Sequence, residues 1–194
     1  MEYKIRPLQK GDDLDQVAKL IYLTDPYIYP DWFDSIEDGI KVIKRMIELP
    51  SLYNKENVTV AVLESGFVLG VLVAKQAPFI EEIENAYLAF EKAGVKSDDR
   101  TKTVYNDYYS KLGNEEDGYH ISNVTVDENY RKRGIATALI KHAIKDKSVC
   151  TLECIVSNDG AWKIYQRLGF EKISEFIGAG NVLCYKMKYE KKEY

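Results

Sequence analysis

The chain has 194 residues, of which 45% are hydrophobic and 30% charged, so it is long enough to bury one sizeable core and too apolar for disorder over most of its length. Two independent enzymatic domains would be a tight fit, and we expect a single domain over residues 1–194. The formal net charge of −4 gives no general reason to expect a nucleic acid or an anionic membrane as a partner, so any anion site has to be local.

The three cysteines, Cys150, Cys154 and Cys184, are odd in number and lack the paired spacing of a zinc or redox site. We therefore expect reduced thiols and no metal. The N-terminal residues contain no apolar signal core, and the longest apolar runs are too short to span a bilayer. These features predict a soluble protein of the cytoplasm with no membrane partner.

The N-terminal part of the chain predicts a strand, two helices and a β-hairpin. Asp12 and Asp13 precede a periodic apolar set that is typical of a capped amphipathic helix, and a capping-box pattern opens a second helix that Pro50 stops. The hairpin strands are rich in β-branched residues and flank a turn with a glycine. The predicted elements are a strand at residues 3–8, helices at residues 14–21 and 35–49, and paired strands at residues 57–63 and 67–75.

Residues 78–118 have a different character, with helical periodicity in two patches. We interpret this segment as a helical insertion. It carries ten acidic residues against five basic ones, which predicts a solvated outer face. An acidic wall that attracts a cationic acceptor is the alternative. The apolar positions that carry the periodicity are Ile80, Ile83, Ala86, Tyr87 and Phe90 in the first patch and Val104, Tyr105, Tyr108 and Leu112 in the second.

The C-terminal part predicts an alternation of strands and helices followed by two further strands. Together with the earlier hairpin, this order is typical of a mixed α/β sheet flanked by helices. No internal repeat or low-complexity linker interrupts it. The predicted elements are strands at residues 119–126 and 149–156, helices at residues 134–145 and 159–168, and strands at residues 170–177 and 181–189.

The turn between the strand at residues 119–126 and the next helix is the sharpest local feature of the sequence. Arg131, Lys132 and Arg133 are followed by Gly134 and, two residues on, by the small Ala136. Unpaired N–H groups at a helix N-terminus, the positive end of the helix dipole and these basic side chains suit a diphosphate. A glycine here lets the backbone approach the phosphate oxygens. A basic turn alone is more often solvated surface, so the sequence context has to distinguish a diphosphate site from such a surface.

That context is a second pattern about twenty residues further on. With it, the run from Tyr119 to Phe170 resembles the acetyl-CoA-binding half of the GNAT superfamily of N-acetyltransferases. The basic turn matches the family's R/Q-x-x-G-x-G/A motif, with Ala136 as the final small residue. The family's N-x-x-A-x-x-x-Y-x-x-L-G-F pattern is matched by Asn158, Ala161, Tyr165, Leu168, Gly169 and Phe170.

The resemblance implies a mostly antiparallel central sheet with a splayed fourth strand and an insertion between strands three and four. It implies acetyl-CoA as the acyl donor. The splayed strand would pair with the pantetheine arm, the basic turn would hold the diphosphate, and Asn158 would contact the arm. Tyr165 would lie near the thioester sulfur and protonate the leaving thiolate; the alternative is that it is an aromatic residue of the core. The residues that it assigns to the cofactor are Val124, Thr125, Val126, Arg131, Lys132, Arg133, Gly134, Ile135, Ala136, Asn158, Ala161 and Tyr165.

The predicted reaction is direct attack of a primary amine on the thioester. Because an amine near pKa 10 is mostly protonated at neutral pH, a base or a water chain has to remove a proton. His120 is the first candidate, since it lies six residues before Val126, where some family members carry a catalytic glutamate. The alternative is that His120 is a strand residue with no catalytic role. A regular strand would place His120 on the same face as Val124 and Val126, and a bulge would change that face. Glu153 is the second candidate. His142 is expected at the surface, and Cys154 receives no catalytic role.

The sequence leaves the acceptor and the partners open. A small-molecule amine and a peptide N-terminus both fit, and the aromatic group Tyr27, Tyr29, Trp32 and Phe33 either binds a cationic ligand or fills the core. A CoA-binding regulatory or interaction module without transferase activity is the alternative function. The acidic balance argues against RNA. The insertion or the last strand could support a homodimer.

Overall fold

A computed structural model describes residues 1–77, 83–99, 102, 103, 106, 118–178 and 181–192. Its strands form a seven-stranded open sheet, and every element predicted from sequence within the described residues is present with bounds that differ by at most two residues. The elements are β1 Lys4–Pro7, α1 Leu14–Tyr22, α2 Tyr29–Trp32, α3 Ile36–Glu48, β2 Val58–Val62, β3 Val68–Ala77, α4 Ile83–Ala93, β4 Gly118–Val126, α5 Ile135–Ile144, β5 Val149–Ile155, α6 Asp159–Arg167, β6 Glu171–Ile177 and β7 Leu183–Glu190.

The strand order across the sheet is β1-β2-β3-β4-β5-β7-β6. β4 and β5 are parallel, and the other neighbouring pairs are antiparallel. The expected mixed, mostly antiparallel sheet flanked by helices is thus confirmed. Within the described part of the chain, no helix is both long and apolar enough to cross a membrane.

The first helices begin where the capping residues predict. The Asp13 side chain accepts the N–H groups of Asp15 and Gln16 at 3.0 and 3.1 Å and so caps α1. Asp12 instead forms an ion pair with Arg6, 2.7 Å away, which ties β1 to the start of that helix. The Ser35 hydroxyl accepts the N–H of Asp38 at 3.1 Å and caps α3.

The short helix α2, Tyr29–Trp32, is an element that the sequence did not predict. Pro30 lies in the first turn of α2, where a missing N–H costs no helical hydrogen bond. The proline therefore opens a helix here.

The sheet separates two apolar cores. Alternate residues of β3 point to opposite sides, so Val71 and Val73 pack in the core beneath α1 to α4, whereas Leu72 and Ala74 pack in the core that includes α5. Leu139 of α5 is fully buried in this second core. This layering leaves α5 and α6 on one side of β4 and β5, and α1 on the other.

The N-terminal aromatic residues fill the first core. Tyr29, Trp32 and Phe33 are buried, and Tyr29 stacks on Tyr22 with ring centroids 5.4 Å apart. Tyr27 differs, with 41% of its surface exposed. Of the two interpretations that the sequence left open, the structure favours core packing for three of these four aromatic residues.

Of the predicted insertion, residues 83–99, 102, 103, 106 and 118 are described. There α4 packs on the first core through Phe90, whose ring stacks on Phe33 with centroids 5.4 Å apart. The described acidic residues of this segment, Glu84, Glu91, Asp98 and Asp99, are exposed, as expected of a solvated face. Ile80 of the first patch, the apolar residues of the second patch and the remaining acidic residues of the segment lie outside the described part.

The contact between α1 and α3 gives a stability prediction. A Cβ at Gly39 of α3 would lie 2.5 Å from two ring carbons of the buried Tyr22. Helix propensity alone favours alanine over glycine by about 1 kcal/mol, whereas overpacking costs about 1 to 3 kcal/mol. We expect Gly39→Ala to lower the melting temperature by several degrees.

The matched control is Gly160→Ala in α6, where the added Cβ meets only the Asn158 Oδ1 at 3.8 Å. This variant should melt at or slightly above the wild-type temperature, measured by circular dichroism. A Gly39→Ala protein as stable as the wild type would mean that the aromatic core is loosely packed.

Candidate functional site

β4 and β5 pair at one end only. The parallel pairing joins Tyr119 to Cys150, His120 to Thr151 and Ile121 to Leu152, and among the described residues it goes no further. β4 nevertheless continues as a strand to Val126. Its backbone N–H and C=O groups beyond Ile121 therefore face an opening where an extended chain with amide groups could add as a strand. The splayed fourth strand that the family resemblance implied is present.

A cleft of about 920 Å³ is lined by the end of β4 that has separated from β5, by the turn before α5, and by residues of α5 and α6. We call it the split cleft. It brings together ten of the twelve residues that the sequence assigned to a cofactor: Val124, Thr125, Val126, Arg131, Lys132, Gly134, Ile135, Ala136, Asn158 and Ala161.

The turn before α5 presents backbone donors to this cleft. Gly134 is the N-cap residue of α5 in a left-handed conformation, with φ 80°, and a Cβ there would meet no atom within 4 Å. Lys132 is also left-handed, with φ 60°. The N–H groups of the first helical turn, at Ile135 and Ala136, have no carbonyl partner within the helix. These N–H donors and the positive end of the α5 dipole thus point at an open space that suits phosphate oxygens.

The second wall of the cleft begins at the N-terminus of α6. The Asn158 side chain accepts the N–H of Ala161 at 3.1 Å, so this asparagine caps the helix. Because α5 and α6 each follow one of two parallel strands, their N-termini lie at the same end of the sheet, on either side of the opening. Asn158 and Gly134 therefore both line the split cleft.

The comparisons with known proteins agree with this geometry. The model of the acetyltransferase (GNAT) family matches residues 44–170, which is more than half of the chain. The chain belongs to the GNAT acetyltransferase family. A comparison with curated protein sequences found no match.

Solved structures show the same fold at low sequence identity. An N-acetyltransferase from Staphylococcus aureus Mu50 has a TM-score of 0.71 and 17% identity, over 95% of this chain and 99% of its own. A chain of the NatC complex bound to Gag peptide and CoA has a TM-score of 0.62 and 20% identity, over 99% and 100%. A chain of the NatB complex bound to CoA and MES has a TM-score of 0.55 and 20% identity, over 96% and 98%.

Arg133, unlike the other predicted GNAT cofactor residues of the turn, does not line the split cleft. Its guanidinium lies 5.3 Å from the centre of the Tyr130 ring and donates to the Asn129 carbonyl at 3.4 Å. Arg131 is anchored differently, because its Nε donates to the Val126 carbonyl at 3.1 Å and so keeps the side chain beside β4. Arg131 and Lys132 are thus the cations that the turn contributes to the cleft.

Sequence reasoning missed three further cations that line the split cleft: Lys141, Lys163 and Arg167. A signal for them exists in the sequence. Lys141 lies seven residues after Gly134, two turns along α5, and Lys163 and Arg167 lie four residues apart on α6. Projecting both helices from the two family motifs would have placed them on the cleft side.

Tyr165 lies on α6 and packs against the core that includes α5, and it is not one of the residues that line the cleft. Its ring packs edge to face on Phe170 with centroids 5.9 Å apart. Burial raises the pKa of the Tyr165 phenol above its usual value, and the nearby Cys154 thiol adds to the increase. The phenol is therefore neutral at physiological pH and keeps its proton.

A bulge in β4 determines the face on which His120 lies. Val73 pairs with Asn123 and Ala74 with Ile121, so Ser122 is an extra residue in β4. The bulge reverses the alternation expected of a regular strand. His120 is thereby turned to the face opposite Val124 and Val126, which pack in the core that includes α5.

His120 is buried at the closed end of the opening, with 5% of its surface exposed. Its Nδ1 lies 3.0 Å from the Thr151 hydroxyl oxygen, with which it is paired across β4 and β5. Glu153 is two residues further along β5, and alternation puts it on the same face as Thr151. It is exposed and stands opposite Lys186 of β7. Both candidate bases therefore flank the point where the strands separate. His142, in contrast, is exposed on α5, as expected.

A buried polar network joins β4 to the end of α1. The Asn123 Nδ2 donates to the Thr24 hydroxyl at 2.7 Å and to the Tyr29 hydroxyl at 3.2 Å, and Tyr29 exchanges a hydrogen bond of 2.8 Å with Tyr53. The Asn123 Oδ1 is buried and has no hydrogen-bond partner among the described residues. This network places Leu23 and Thr24 at the edge of the split cleft. Sequence analysis did not identify it, since its members are far apart in the chain.

The cysteines are all buried. Burial raises the pKa of both Cys150 and Cys154 to about 11. At pH 7 a thiol of that pKa is ionised to the order of one part in ten thousand, which makes it a poor nucleophile. In the part of the chain that is described, no group of three or more metal-binding side chains is close enough to hold a metal ion.

These pKa values predict slow thiol chemistry. Native protein incubated with iodoacetamide at pH 7.4 should show almost no modification of Cys150 and Cys154 by peptide mass mapping, because the reagent needs an accessible thiolate. Denatured protein should be alkylated at all three cysteines within the same time. Rapid modification of Cys154 in the native state would reopen the question of a covalent acyl-enzyme.

Proposed function

We propose that this protein transfers an acetyl group from acetyl-CoA to a primary amine. The observation that carries the proposal is the split cleft, in which an unpaired stretch of β4 leads to a glycine-containing basic turn. A strand edge of this kind suits an arm with two amide groups, and the turn suits a diphosphate. Acetyl-CoA has both parts in one molecule.

The proposed positions of the cofactor follow from these parts. The diphosphate lies against Gly134 and the N–H groups of Ile135 and Ala136, with Arg131 and Lys132 beside it. The pantetheine arm adds to β4 along Val124 to Val126, on the side where β5 has separated. The thioester then reaches the closed end of the opening near Ile121 and Ser122.

At the closed end, the amine attacks the thioester carbonyl directly. The raised pKa of Cys154 supports a mechanism without an acyl-cysteine. His120 is our first candidate for the base, oriented by its contact with Thr151, and Glu153 or a water chain is the alternative. The acceptor approaches from the α1 side, because α5 and α6 occupy the other face.

The leaving group is the CoA thiolate, whose thiol has an ordinary pKa of about 8.5. Tyr165 is our candidate for its proton donor. A neutral phenol stabilises the thiolate by a hydrogen bond even where the raised pKa disfavours full proton transfer. Because Tyr165 does not line the split cleft, it would act only after a change in its side-chain position or through water.

Two acceptor classes fit this proposal, a small-molecule amine and a peptide N-terminus. The similar fold of a chain from the NatC complex bound to Gag peptide is a reason to include peptides in a screen. The burial of Tyr29, Trp32 and Phe33 weakens the aromatic argument for a cationic small molecule, since only Tyr27 of that group is exposed.

A CoA-binding module without transferase activity is the second candidate function. Two observations favour it: Tyr165 does not line the split cleft, and His120 is buried. The two functions differ in one observable, the release of free CoA thiol when acetyl-CoA is incubated with a panel of amines and peptides. Release above the background hydrolysis rate supports the transferase.

The cofactor assignment gives a binding prediction. In calorimetry, wild-type protein should bind acetyl-CoA with micromolar affinity, and Gly134→Glu should weaken binding at least tenfold, because its carboxylate would point into the space proposed for the diphosphate.

Gly66→Glu is the matched control, since Gly66 also has a positive φ of 89° and open space around it. It lies in the β2–β3 turn, away from the split cleft, and introduces the same charge and the same backbone strain. Equal binding by Gly134→Glu and the control variant would count against the proposed diphosphate position.

The catalytic assignment gives a kinetic prediction once an acceptor is found. His120→Gln should lower kcat about 100-fold or more, since a general base contributes about that factor, while the Kd for acetyl-CoA stays within about twofold. Glu153→Gln, measured in parallel, should retain most of the activity. The opposite ranking would transfer the role to Glu153, and full activity of both variants would indicate a water chain.

A further inference from the structure

Asn123 of β4 has a buried side-chain amide whose oxygen is not used by the fold. The residue is 7% exposed, and its Oδ1 has no hydrogen-bond partner among the described residues. We propose that this oxygen accepts a hydrogen bond from the attacking amine and so makes the protein selective for primary over secondary amines. The inference rests on the proposed function, because it concerns the acceptor of that reaction.

The neighbouring hydrogen bonds determine which end of the amide is the oxygen. The Thr24 hydroxyl donates its single proton to the Ile21 carbonyl at 2.6 Å, so towards Asn123 its oxygen can only accept. The amide group 2.7 Å from this hydroxyl is therefore the Nδ2 donor, which also donates to the Tyr29 hydroxyl at 3.2 Å. The Oδ1 is consequently the end of the amide that lacks a partner in the described part of the chain.

Asn123 and the candidate base lie on the same face of β4. On β3, Asn123 is paired with Val73 and His120 with Lys75, so the two β4 residues are two sheet positions apart despite the bulge between them. Two positions along a strand span roughly 7 Å. A nitrogen atom with a hydrogen bond of about 2.9 Å to each of two groups bridges roughly 6 Å. The spacing therefore suits one amine between the two side chains.

This face is also the one from which the acceptor is proposed to approach. Val73 packs in the core beneath α1 to α4, so its partner Asn123 points to the α1 side of the sheet. β5 is no longer paired with β4 at this position among the described residues. An amine held by the Asn123 oxygen thus lies above the opening proposed for the thioester.

The transfer reaction gives the base and the Asn123 oxygen different roles. A neutral primary amine has two N–H groups, and its lone pair attacks the thioester carbonyl carbon. One N–H proton passes to the base as the C–N bond forms, and the C–S bond then breaks with its electron pair on the CoA sulfur, which takes up a proton to give the free thiol. The other N–H remains in the product amide and stays hydrogen-bonded to the Asn123 Oδ1.

A secondary amine cannot serve both groups. Its single N–H is the proton that the base removes, and its second substituent would lie against the Asn123 oxygen. The buried oxygen would then be unpaired in the transition state, which is unfavourable. Sites that hydrogen-bond a substrate N–H discriminate strongly against analogues that lack it. N-methylated amines and peptides with an N-terminal proline are the acceptors that this site should reject.

The test compares matched acceptors by the release of CoA thiol from acetyl-CoA. The pairs are tyramine with N-methyltyramine, and an alanine-terminated peptide with its N-methylalanine counterpart. After subtraction of the uncatalysed reaction, wild-type kcat/KM should be at least about 100-fold higher for the primary member of a pair that is turned over. Asn123→Ala removes the oxygen and makes room for a methyl group, so it should lower this ratio at least about tenfold.

Two further variants separate this role from a structural one. Asn123→Asp retains an oxygen in the position of Oδ1, and burial favours the protonated carboxyl, whose O–H replaces the Nδ2 donor to Thr24. The ratio should stay within about threefold of the wild-type value. Tyr53→Phe removes the hydroxyl that lies 2.8 Å from that of Tyr29 and leaves the Asn123 oxygen in place, so it should also retain the ratio.

Melting curves should show each variant folded. If Asn123→Ala does not fold, Asn123→Ser removes the same oxygen with a smaller change in polarity and should lower the ratio in the same way. A wild-type ratio near that of the uncatalysed reaction would overturn the inference. An alanine variant that loses activity equally toward both members of a pair would also overturn it, because the amide would then be structural or bound to an ordered water.

Failure of the proposed function has a different signature. If folded wild-type protein releases no thiol with any amine or peptide of the panel, the transferase assignment is wrong, and this inference is wrong with it. If primary and secondary amines are acetylated at similar rates, the transferase assignment stands and only the role of Asn123 is overturned.

Discussion

The separation of β4 from β5 after Ile121 and Leu152 is the constraint on which the site depends. In a continuous sheet the backbone groups of β4 would be paired on both edges, and no cleft would exist between the flanking helices. The bulge at Ser122 coincides with the point of separation. A bulge increases local twist and bends the strand, so the extra residue gives a physical reason why β4 leaves its neighbour there.

The separation also determines which elements surround the opening. A parallel pair of strands needs a crossover connection, and the helices of the two units, α5 and α6, begin at the same end of the sheet. Gly134 and Asn158, the N-cap residues of these helices, consequently line one cleft although they are 24 positions apart in the chain. The protein has a net negative charge, yet its cleft is lined by cations, because one basic turn and two helix faces meet there.

Much of this arrangement could be predicted from the sequence. Periodicity located the described helices and strands other than α2, and the family motifs located ten lining residues of the cleft. These features are local, since a cap, a period or a glycine turn is determined by nearby residues. The position of Lys163 and Arg167 could have been predicted in the same way, because helical spacing places both on one face of α6.

The features that the sequence did not predict depend on contacts between distant segments. The bulge at Ser122 is defined by pairing with β3, and no turn residue or proline marks it in the sequence. The position of Tyr165 depends on how deeply α6 packs on Phe170, which periodicity along one helix does not specify. Arg133 contacts the Tyr130 ring and does not line the cleft. The sequence does not specify whether this cation binds the aromatic ring or a ligand in the cleft.

The Asn123 network shows how the two sides of the sheet meet at the site. The buried amide holds Thr24 and Tyr29, and so fixes the end of α1 beside the opening on the face where His120 lies. Its Oδ1 is buried without a partner among the described residues, and such a group costs about 1 to 3 kcal/mol. This unpaired oxygen lies next to the stretch of β4 whose backbone groups are also unpaired toward β5 among the described residues. Unsatisfied polar groups therefore concentrate where the strands separate, on both the cofactor side and the acceptor side of the proposed reaction.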